Sequence, residues 1–162
     1  MRRAVCPGSF DPITYGHLDI IERASNRFDE VVVAVMVNRV KDSLFTVEER
    51  MEMIRQTTQK LKNVKVDSWS GLLGDYCKKN DAQTIVKGLR AVTDFDYELQ
   101  MAQINYQTSG IETMFMATAP THSFLSSSIV KELAHYGGDI ATMVPRSEEH
   151  TSELQSLRHL VC

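Results

Sequence analysis

Short apolar runs rich in valine alternate along the chain with stretches whose apolar residues recur every three or four positions. The longest run, residues 31–37, has no alternating polar residue, which is typical of a strand covered on both faces of a parallel sheet. The preceding stretch, residues 16–28, carries Leu18, Ile21 and Phe28 at helical spacing. Strands that alternate with helices in this way predict a parallel sheet with right-handed crossovers.

The whole pattern predicts five strands and five helices. The strands are expected at residues 4–6, 31–37, 64–66, 84–86 and 114–117. The helices are expected at residues 16–28, after Thr46, and at 72–79, 94–108 and 128–136. We therefore expect one α/β domain over residues 1–145, with a five-stranded parallel sheet, helices on both faces, and ligands at the carboxyl ends of the strands.

Two of these helices have clear end signals. Thr46 and Glu49 form a T-x-x-E capping box at the start of the second helix. Gly137 and Gly138 follow the last helix and predict a C-cap. The residues expected on buried helix faces are Met51, Ile54 and Leu61 in the second helix, and Phe95, Leu99, Met101, Ala102 and Tyr106 in the fourth.

The composition excludes several classes of protein. The 162 residues fit one domain, since domains most often have about 100–150 residues. A total of 18 Lys and Arg against 21 Asp and Glu gives a net charge of −3, which argues against a nucleic-acid partner. Cys6, Cys77 and Cys162 lie far apart without a Cys/His cluster, so we expect no disulfide framework or zinc site and name no metal ligand. With no signal peptide and no run long enough to span a bilayer, we expect a cytoplasmic protein without a membrane partner.

The last residues, 146–162, do not continue the strand–helix pattern. They are polar and have no helical apolar stripe. The segment RSEEHTSELQS also looks like the translation of a common sequencing adapter. We interpret residues 146–162 as a non-native tail, disordered or weakly helical; a genuine solvated tail is the alternative.

The first candidate site is PGSFDPITYGH, residues 7–17, which follows the first strand. Gly8 permits a sharp turn, Ser9 brings a hydroxyl to the sheet edge, and Asp11 is expected to bond locally within the turn. His17 stands at a helix N-terminus that attracts anions, so its imidazole can donate a hydrogen bond to a phosphate oxygen. On the residues alone, a plain turn with a helix-start histidine is an equally good interpretation.

Three further segments place polar groups where ligands would lie. Lys41 follows the second strand and offers an ammonium, and Arg90, next to the flexible Gly88, can form a bidentate contact with phosphate oxygens. Residues 126–128 are serines that open a helix with hydroxyls and free amides, which together can bind an anion. Glu98 can face a ribose or adenine. The alternatives are a solvated lysine, plain N-capping serines and an exposed helix acid.

These segments resemble a known family in order and spacing. TYGH fits the T/H-x-G-H signature of the nucleotidyltransferase superfamily, and PGSFDPITYGH is very similar to the opening of the phosphopantetheine adenylyltransferase family. Residues 38–50, 86–98 and 123–131 resemble that family's second loop and helix, its nucleotide loop and its closing S-S-S/T-x-x-K/R motif. The resemblance covers residue 1 to about residue 145.

The resemblance implies a Rossmann-like enzyme of coenzyme A biosynthesis. Such an enzyme transfers the adenylyl group of ATP to 4′-phosphopantetheine, giving dephospho-coenzyme A and pyrophosphate. The substrate phosphate would attack the α-phosphorus of ATP in line, without a nucleophilic side chain, so catalysis would come from positioning and charge stabilisation. The resemblance also implies Mg²⁺ as the counter-ion of ATP, held mostly by phosphates and water, and a homohexamer.

Individual roles follow from the same resemblance. His17, Lys41 and Arg90 are the expected catalytic residues: the imidazole would hydrogen-bond the phosphates in the transition state, and the two cations would spread the developing charge. The residues expected to bind 4′-phosphopantetheine are Ser9, Lys41, Leu73 and Lys87. The residues expected to bind ATP are Ser9, Phe10, His17, Gly88, Leu89, Arg90, Glu98, His122, Ser123, Phe124, Leu125, Ser126, Ser127 and Ser128. Lys87 stands where the family often has arginine, so a bidentate contact is lost there.

Three alternatives stay open. A sister nucleotidyltransferase would use nicotinamide mononucleotide or a sugar or polyol phosphate, although the Lys41 loop and the FDYE segment favour the pantetheine enzyme. A binding module without catalysis would bind ATP without releasing pyrophosphate; the loss of His17 or Lys41 would support it, and both are present. The third is an enzyme of this family that its tail destabilises.

Overall fold

The computed structural model of the chain describes residues 1–40 and 42–146. The elements in these residues are β1 (Arg3–Gly8), α1 (Tyr15–Ser25), β2 (Glu30–Met36), α2 (Val47–Thr58), β3 (Val64–Trp69), α3 (Leu73–Lys79), β4 (Thr84–Leu89), α4 (Val92–Ser109), β5 (Glu112–Ala117), a short 3-10 helix (Pro120–His122) and α5 (Ser127–His135). Each predicted strand and helix is therefore present, with bounds shifted by a few residues. The predicted tail lies outside the described residues from residue 147 onward, so its interpretation stays a prediction.

The five strands form one parallel sheet in the order β3-β2-β1-β4-β5. Ala4 of β1 pairs with Val31 of β2 on one side and with Thr84 of β4 on the other. The chain first builds outward from β1 to β3, then crosses back to β4 and builds outward to β5. The strand order thus reverses between β1 and β4, and the predicted α/β fold is confirmed.

The core lies on both faces of this sheet, as the apolar run in β2 predicts. The residues of β2 alternate: Val33 belongs to a cluster with Ile21 of α1 and Ile54 of α2, and Val32 to a cluster with Tyr76 of α3. Met51 and Leu61 are partly buried against the first cluster, although Leu61 lies beyond the end of α2. A strand buried on both faces explains why β2 needs no polar alternation.

Both predicted helix-end signals are confirmed. The Thr46 hydroxyl accepts a bond from the Glu49 amide at 3.2 Å, and the Glu49 carboxylate accepts one from the Thr46 amide at 2.7 Å. After α5, Gly137 has a left-handed φ of 77°, and the Gly138 amide donates to the Leu133 carbonyl at 2.8 Å. This is the Schellman pattern, which satisfies carbonyls at the end of the helix.

The predicted core of α4 is wrong. No residue of α4 is buried, and Phe95, Leu99 and Tyr106 are 37%, 36% and 56% exposed. Met101 and Ala102 are half-buried. The helix packs against α3 and the β4–β5 end of the sheet, and in the described part of the chain nothing covers its outer side. The apolar spacing in α4 is therefore real, but it marks a surface of this chain rather than its core.

Two thiols lie inside the molecule. Cys6 and Cys77 are free and buried, and burial raises the pKa of Cys6 to about 12 and that of Cys77 to about 11. Neither thiol is therefore a nucleophile at neutral pH. Among the described residues, no helix combines the length and the apolar character needed to cross a membrane.

Candidate active site

A cavity of about 430 Å³ opens at the carboxyl ends of β1 and β4, where the strand order reverses. This is the place where open α/β sheets bind ligands. The sequence-predicted residues that line it are Ser9, Phe10, His17, Lys87, Gly88, Arg90, Glu98, Leu125, Ser126 and Ser127. Segments far apart in the chain therefore meet here, as the sequence analysis predicts.

The turn after β1 brings Ser9 and Phe10 to the cavity. Phe10 has a φ of 50°, in the left-handed region that costs a non-glycine residue conformational energy. Its ring is buried and packs edge-on against His17, with ring centroids 5.0 Å apart. A side chain on Gly8 would lie 3.1 Å from the Phe10 ring, so the glycine leaves room for this arrangement. The turn thus supports one face of the imidazole.

A capping box orients His17. Its Nδ1 accepts a bond from the Thr14 amide at 3.0 Å, and the Thr14 hydroxyl accepts one from the His17 amide at 3.3 Å. Because Nδ1 is an acceptor, the proton of the neutral ring is on Nε2, which can donate to a ligand. Burial lowers the pKa of His17 to about 4, and the Arg90 guanidinium adds to this effect. His17 is therefore a neutral hydrogen-bond donor at pH 7, not a cation.

Arg90 lies just beyond β4 and is held by two contacts. Its Nη1 donates to the Leu125 carbonyl at 2.9 Å, and its Nη2 lies 3.3 Å from Asp94 Oδ2. These contacts hold the guanidinium between the start of α4 and the segment that leads into α5. Arg90 and His17 line the same cavity, and the charge of the guanidinium adds to the lowering of the His17 pKa.

The structure pairs two residues that the sequence analysis assigns to different ligands. Lys87 Nζ lies 2.9 Å from Glu98 Oε1 and 2.7 Å from Glu98 Oε2, and both side chains are largely buried. Glu98 Oε2 forms no hydrogen bond in the described part of the chain, and the Lys87 ammonium is its ionic partner. Lys87 and Glu98 therefore neutralise each other in this structure, and their contacts with ligands stay predictions.

The start of α5 presents amides rather than hydroxyls. The Ser126 hydroxyl accepts a bond from the Ile129 amide at 3.1 Å and caps the helix, while the Ser127 hydroxyl donates to the Pro12 carbonyl at 2.8 Å. The amides of Ser127 and Ser128 have no acceptor among the described residues. A helix N-terminus with open amides attracts an anion. The predicted anion site is thus mainly a backbone site.

Some predicted residues lie outside the cavity lining. Leu73 is partly buried against the second core cluster, and Phe124 is 58% exposed. The His122 ring stacks on Tyr15 with centroids 6.1 Å apart. Lys41 lies outside the described residues. The other predicted residues that do not line the cavity are Leu89, Ser123 and Ser128.

Two site features were missed from the sequence. Thr118 lines the cavity just after β5, and the signal that could have found it is its position at the carboxyl end of a strand. The second feature is Asp11, which was expected to form hydrogen bonds within its own turn and does not. Its carboxylate accepts bonds from Leu44, Phe45 and Lys131, which are distant in the chain. A lone aspartate in a turn gives no signal for such long-range contacts.

Comparison with known proteins identifies the family of this chain. Residues 5–133 match a family described as cytidylyltransferase-like. A phosphopantetheine adenylyltransferase from Streptomyces coelicolor is 64% identical over 145 residues, covering 90% of this chain and 91% of that protein. Another from Frankia alni is 61% identical over 149 residues, covering 90% of this chain and 92% of that protein.

Solved structures of lower identity share the fold. A bifunctional NMN adenylyltransferase/ADP ribose pyrophosphatase from Francisella tularensis, complexed with AMP and a manganese ion, superposes with a TM-score of 0.69 at 15% identity, covering 98% of this chain and 49% of that chain. A lipopolysaccharide core biosynthesis protein from Thermoplasma volcanium superposes with a TM-score of 0.53 at 21% identity, covering 74% of this chain and 97% of that chain.

Proposed function

This chain belongs to the phosphopantetheine adenylyltransferase family, within the cytidylyltransferase-like proteins, and we propose that the cavity between β1 and β4 is its active site. The enzyme transfers the adenylyl group of ATP to 4′-phosphopantetheine, giving dephospho-coenzyme A and pyrophosphate. The observation that supports the site most strongly is the convergence of a neutral imidazole, a guanidinium and the open N-terminus of α5 on one cavity.

The reaction is a direct in-line displacement. A phosphate oxygen of 4′-phosphopantetheine attacks the α-phosphorus of ATP, and the bond from that phosphorus to the oxygen bridging to the β-phosphorus breaks. Pyrophosphate leaves with the electron pair. Both reactants are anions, so the protein's task is to hold them in line and to stabilise negative charge.

Each polar group has a part in this displacement. His17 donates from Nε2 to a phosphate oxygen, and its low pKa keeps it a neutral donor that needs no proton transfer. Arg90 spreads the charge that develops on the phosphates, from a position set by Leu125 and Asp94. Lys41 supplies a second cation to the same charge; this role is supported only by the sequence motif.

The two substrates are assigned to different sets of residues, some in the cavity lining and some beyond it. We assign the ATP phosphates to the amides at the start of α5 and the nucleoside to the segment 122–128 with Phe10, Gly88, Leu89 and Glu98. We assign 4′-phosphopantetheine to Ser9, Lys41, Leu73 and Lys87. Lys87 and Glu98 form an ion pair. A ligand that binds either residue and breaks the pair must offer that residue a new partner in place of the one it loses.

Magnesium enters as part of the MgATP substrate. The described lining residues include two cations, Lys87 and Arg90, and one carboxylate, that of Glu98, so their net positive charge is too small to neutralise the negative charge on the phosphates of ATP. Glu98 already pairs with Lys87, and among the described residues no three His, Cys, Asp or Glu side chains lie close enough together to hold a metal ion. The residues therefore do not fit a magnesium ion held by protein ligands, so phosphates and water would hold it.

We extend the proposal to assembly and compartment. The uncovered apolar side chains of α4 support a homo-oligomer, with a hexamer as the specific proposal. The free thiols Cys6 and Cys77 fit a reducing compartment such as the cytoplasm.

Pyrophosphate release tests the function. ATP with magnesium is supplied with 4′-phosphopantetheine in one sample and with nicotinamide mononucleotide in another. We expect release only with 4′-phosphopantetheine, and a fall of about 100-fold or more for His17→Ala because a charge-stabilising donor is lost. Release only with the mononucleotide would reassign the chain to a sister enzyme, and ATP binding without release would indicate a binding module.

A further inference from the structure

Asp11 is a buried carboxylate with partners in two distant segments. It is 4% exposed, and it accepts bonds from the amides of Leu44 and Phe45, both at 2.9 Å, and from Lys131 Nζ at 3.0 Å. Burial alone would raise the pKa of Asp11, but the two amides and the ammonium outweigh it and hold the pKa below its usual range. Asp11 is therefore ionised at neutral pH and links the turn after β1 to the entry of α2 and to α5.

The same turn is held to these elements by its own carbonyls. The Pro12 carbonyl accepts the Ser127 hydroxyl at 2.8 Å, and the Ser9 carbonyl accepts Arg50 Nη1 at 2.8 Å. Arg50 is 4% exposed. The turn that carries Ser9 and Phe10 is thus linked to α5 by two contacts, one at the first residue of the helix through Ser127 and one a turn further along through Asp11 and Lys131.

Lys131 is the basic residue of the S-S-S-x-x-K segment, and its ammonium is directed to Asp11. It does not line the cavity. Its side chain is 26% exposed, against 5% for that of Asp11. A lysine whose charge is neutralised by a buried carboxylate is poorly placed to bind phosphate as well.

We propose that Asp11 and Lys131 form a positioning pair that aligns the Ser9–Phe10 turn with the amides at the start of α5, and that Lys131 acts through Asp11 rather than on ATP. The proposal rests on the proposed function, because these two segments are the ones assigned to the reacting phosphates. Small displacements of groups that act in the transition state lower kcat more than they raise KM.

A double-mutant cycle tests the pair. Asp11→Asn, Lys131→Gln and the double variant are compared with the wild-type chain for kcat, for KM with MgATP and for thermal unfolding. Lys60→Gln, at an exposed lysine after α2, is the matched control. We expect each single variant to lower kcat about tenfold with KM for ATP changed less than about threefold, and the double variant to be no worse than the poorer single one, as for two residues in one network.

Each outcome decides a specific point. Losses of kcat that multiply to about 100-fold in the double variant would show that the two residues act independently and would overturn the pairing. A rise of about tenfold in KM for ATP with kcat unchanged in Lys131→Gln would also overturn it and would place Lys131 on the nucleotide. A wild-type chain that releases no pyrophosphate would overturn the proposed function and this role together.

Lys131→Arg adds a readout that does not depend on how well Asp11→Asn folds. Arginine keeps a cation that can reach the carboxylate, so most of the kcat lost in Lys131→Gln should return. If Lys131→Gln lowers only the unfolding temperature and leaves kcat at the wild-type value, the pair supports the fold but does not position the reacting groups.

Discussion

At the residue scale, the proposed chemistry depends on which nitrogen of His17 carries the proton. The bond from the Thr14 amide to Nδ1 places the proton on Nε2, and the low pKa keeps the ring neutral. A neutral donor can keep its hydrogen bond to a phosphate oxygen throughout the reaction without gaining or losing a proton. The capping box therefore serves both helix α1 and the active site.

The pKa of His17 predicts how stability depends on pH. The unfolded chain binds a proton at His17 below about pH 6.5, whereas the folded chain does so only near pH 4. The free energy of unfolding of the ligand-free protein should therefore fall as the pH is lowered between these values, by up to about 1.4 kcal/mol per pH unit from this group. His17→Asn should remove that part of the slope, as urea unfolding at several pH values would show.

His135→Asn is the control, because His135 is an exposed residue in the last turn of α5. It removes an exposed imidazole and leaves the buried one in place, so the steep fall in stability that His17 causes between about pH 6.5 and pH 5 should remain in this variant. The carboxylates with lowered pKa, Asp11, Asp29 and Glu30, titrate below this window. An equal slope in wild type and His17→Asn would show that the imidazole keeps an ordinary pKa in the folded chain.

The sequence indicated the polar residues that line the cavity, but not the side chains with which they form ion pairs. His17, Arg90 and the serines were recognisable because they follow strands or open helices. The pairing of Lys87 with Glu98 and of Asp11 with Lys131 was not, since each joins positions whose distance only the folded backbone sets. Residue type and spacing identify candidate groups, whereas charge neutralisation is a property of the three-dimensional arrangement.

At the element scale, the cavity depends on the close approach of α1 to β4. A Cβ added at Gly88 would lie 2.9 Å from Cγ1 of Ile20, which is 7% exposed and has little room to move. We expect Gly88→Ala to destabilise the fold by about 1–3 kcal/mol, as overpacked sites do, and to lower kcat/KM by about tenfold through displacement of α1 and its His17. Thermal unfolding and pyrophosphate release measure the two effects.

Truncation of the opposing side chain provides the control. On an Ile20→Ala background the added methyl group no longer meets Cγ1, so Gly88→Ala should cost clearly less there than in the wild-type chain. The same cost on both backgrounds would mean that crowding against Ile20 is not the reason for glycine at this position.

The elements themselves were largely predictable, but α4 shows that the periodicity of apolar residues does not predict which helix face is buried within the chain. Periodicity of 3.6 residues shows that a helix has an apolar face, but not which molecule covers it. For α1 and α2 the cover is the sheet of the same chain: Ile21 lies in the core, and the predicted burial of Ile54 is confirmed. For α4 the spacing is similar, yet Phe95, Leu99 and Tyr106 remain exposed.

At the scale of the whole molecule, the exposed side of α4 bears on the proposed homo-oligomer. Leu99 and Tyr106, seven residues apart and therefore on one face of α4, are 36% and 56% exposed, and exposed apolar side chains on one helix face are typical of an interface. We expect the wild-type chain to sediment as an oligomer at micromolar concentration and Tyr106→Glu to shift it towards smaller species, because a buried unpaired charge disfavours association. Analytical ultracentrifugation measures both.

Gln107→Glu is the matched control, since it adds the same charge at an exposed polar position of the same helix and should leave the distribution unchanged. A wild-type chain that sediments only as a monomer would contradict the oligomer. An oligomer that Tyr106→Glu does not disturb would place the interface elsewhere on the molecule.

The topology of the whole molecule explains why the site could be located in advance. In a sheet whose strand order reverses, the loops after β1 and β4 diverge and leave a crevice, so residues that follow these strands meet there. The strand order itself was not predicted, because periodicity identifies strands without stating which ones are neighbours.

The stereochemistry of the transfer tests the central claim most directly. ATP that carries one sulfur atom on its α-phosphorus, in a known configuration, is converted with 4′-phosphopantetheine, and the configuration at phosphorus in the product is determined. We expect thio-substituted dephospho-coenzyme A with inverted configuration, as a single in-line displacement requires. Retention would indicate two displacements through an adenylylated side chain and would contradict the proposed catalysis by positioning and charge stabilisation alone.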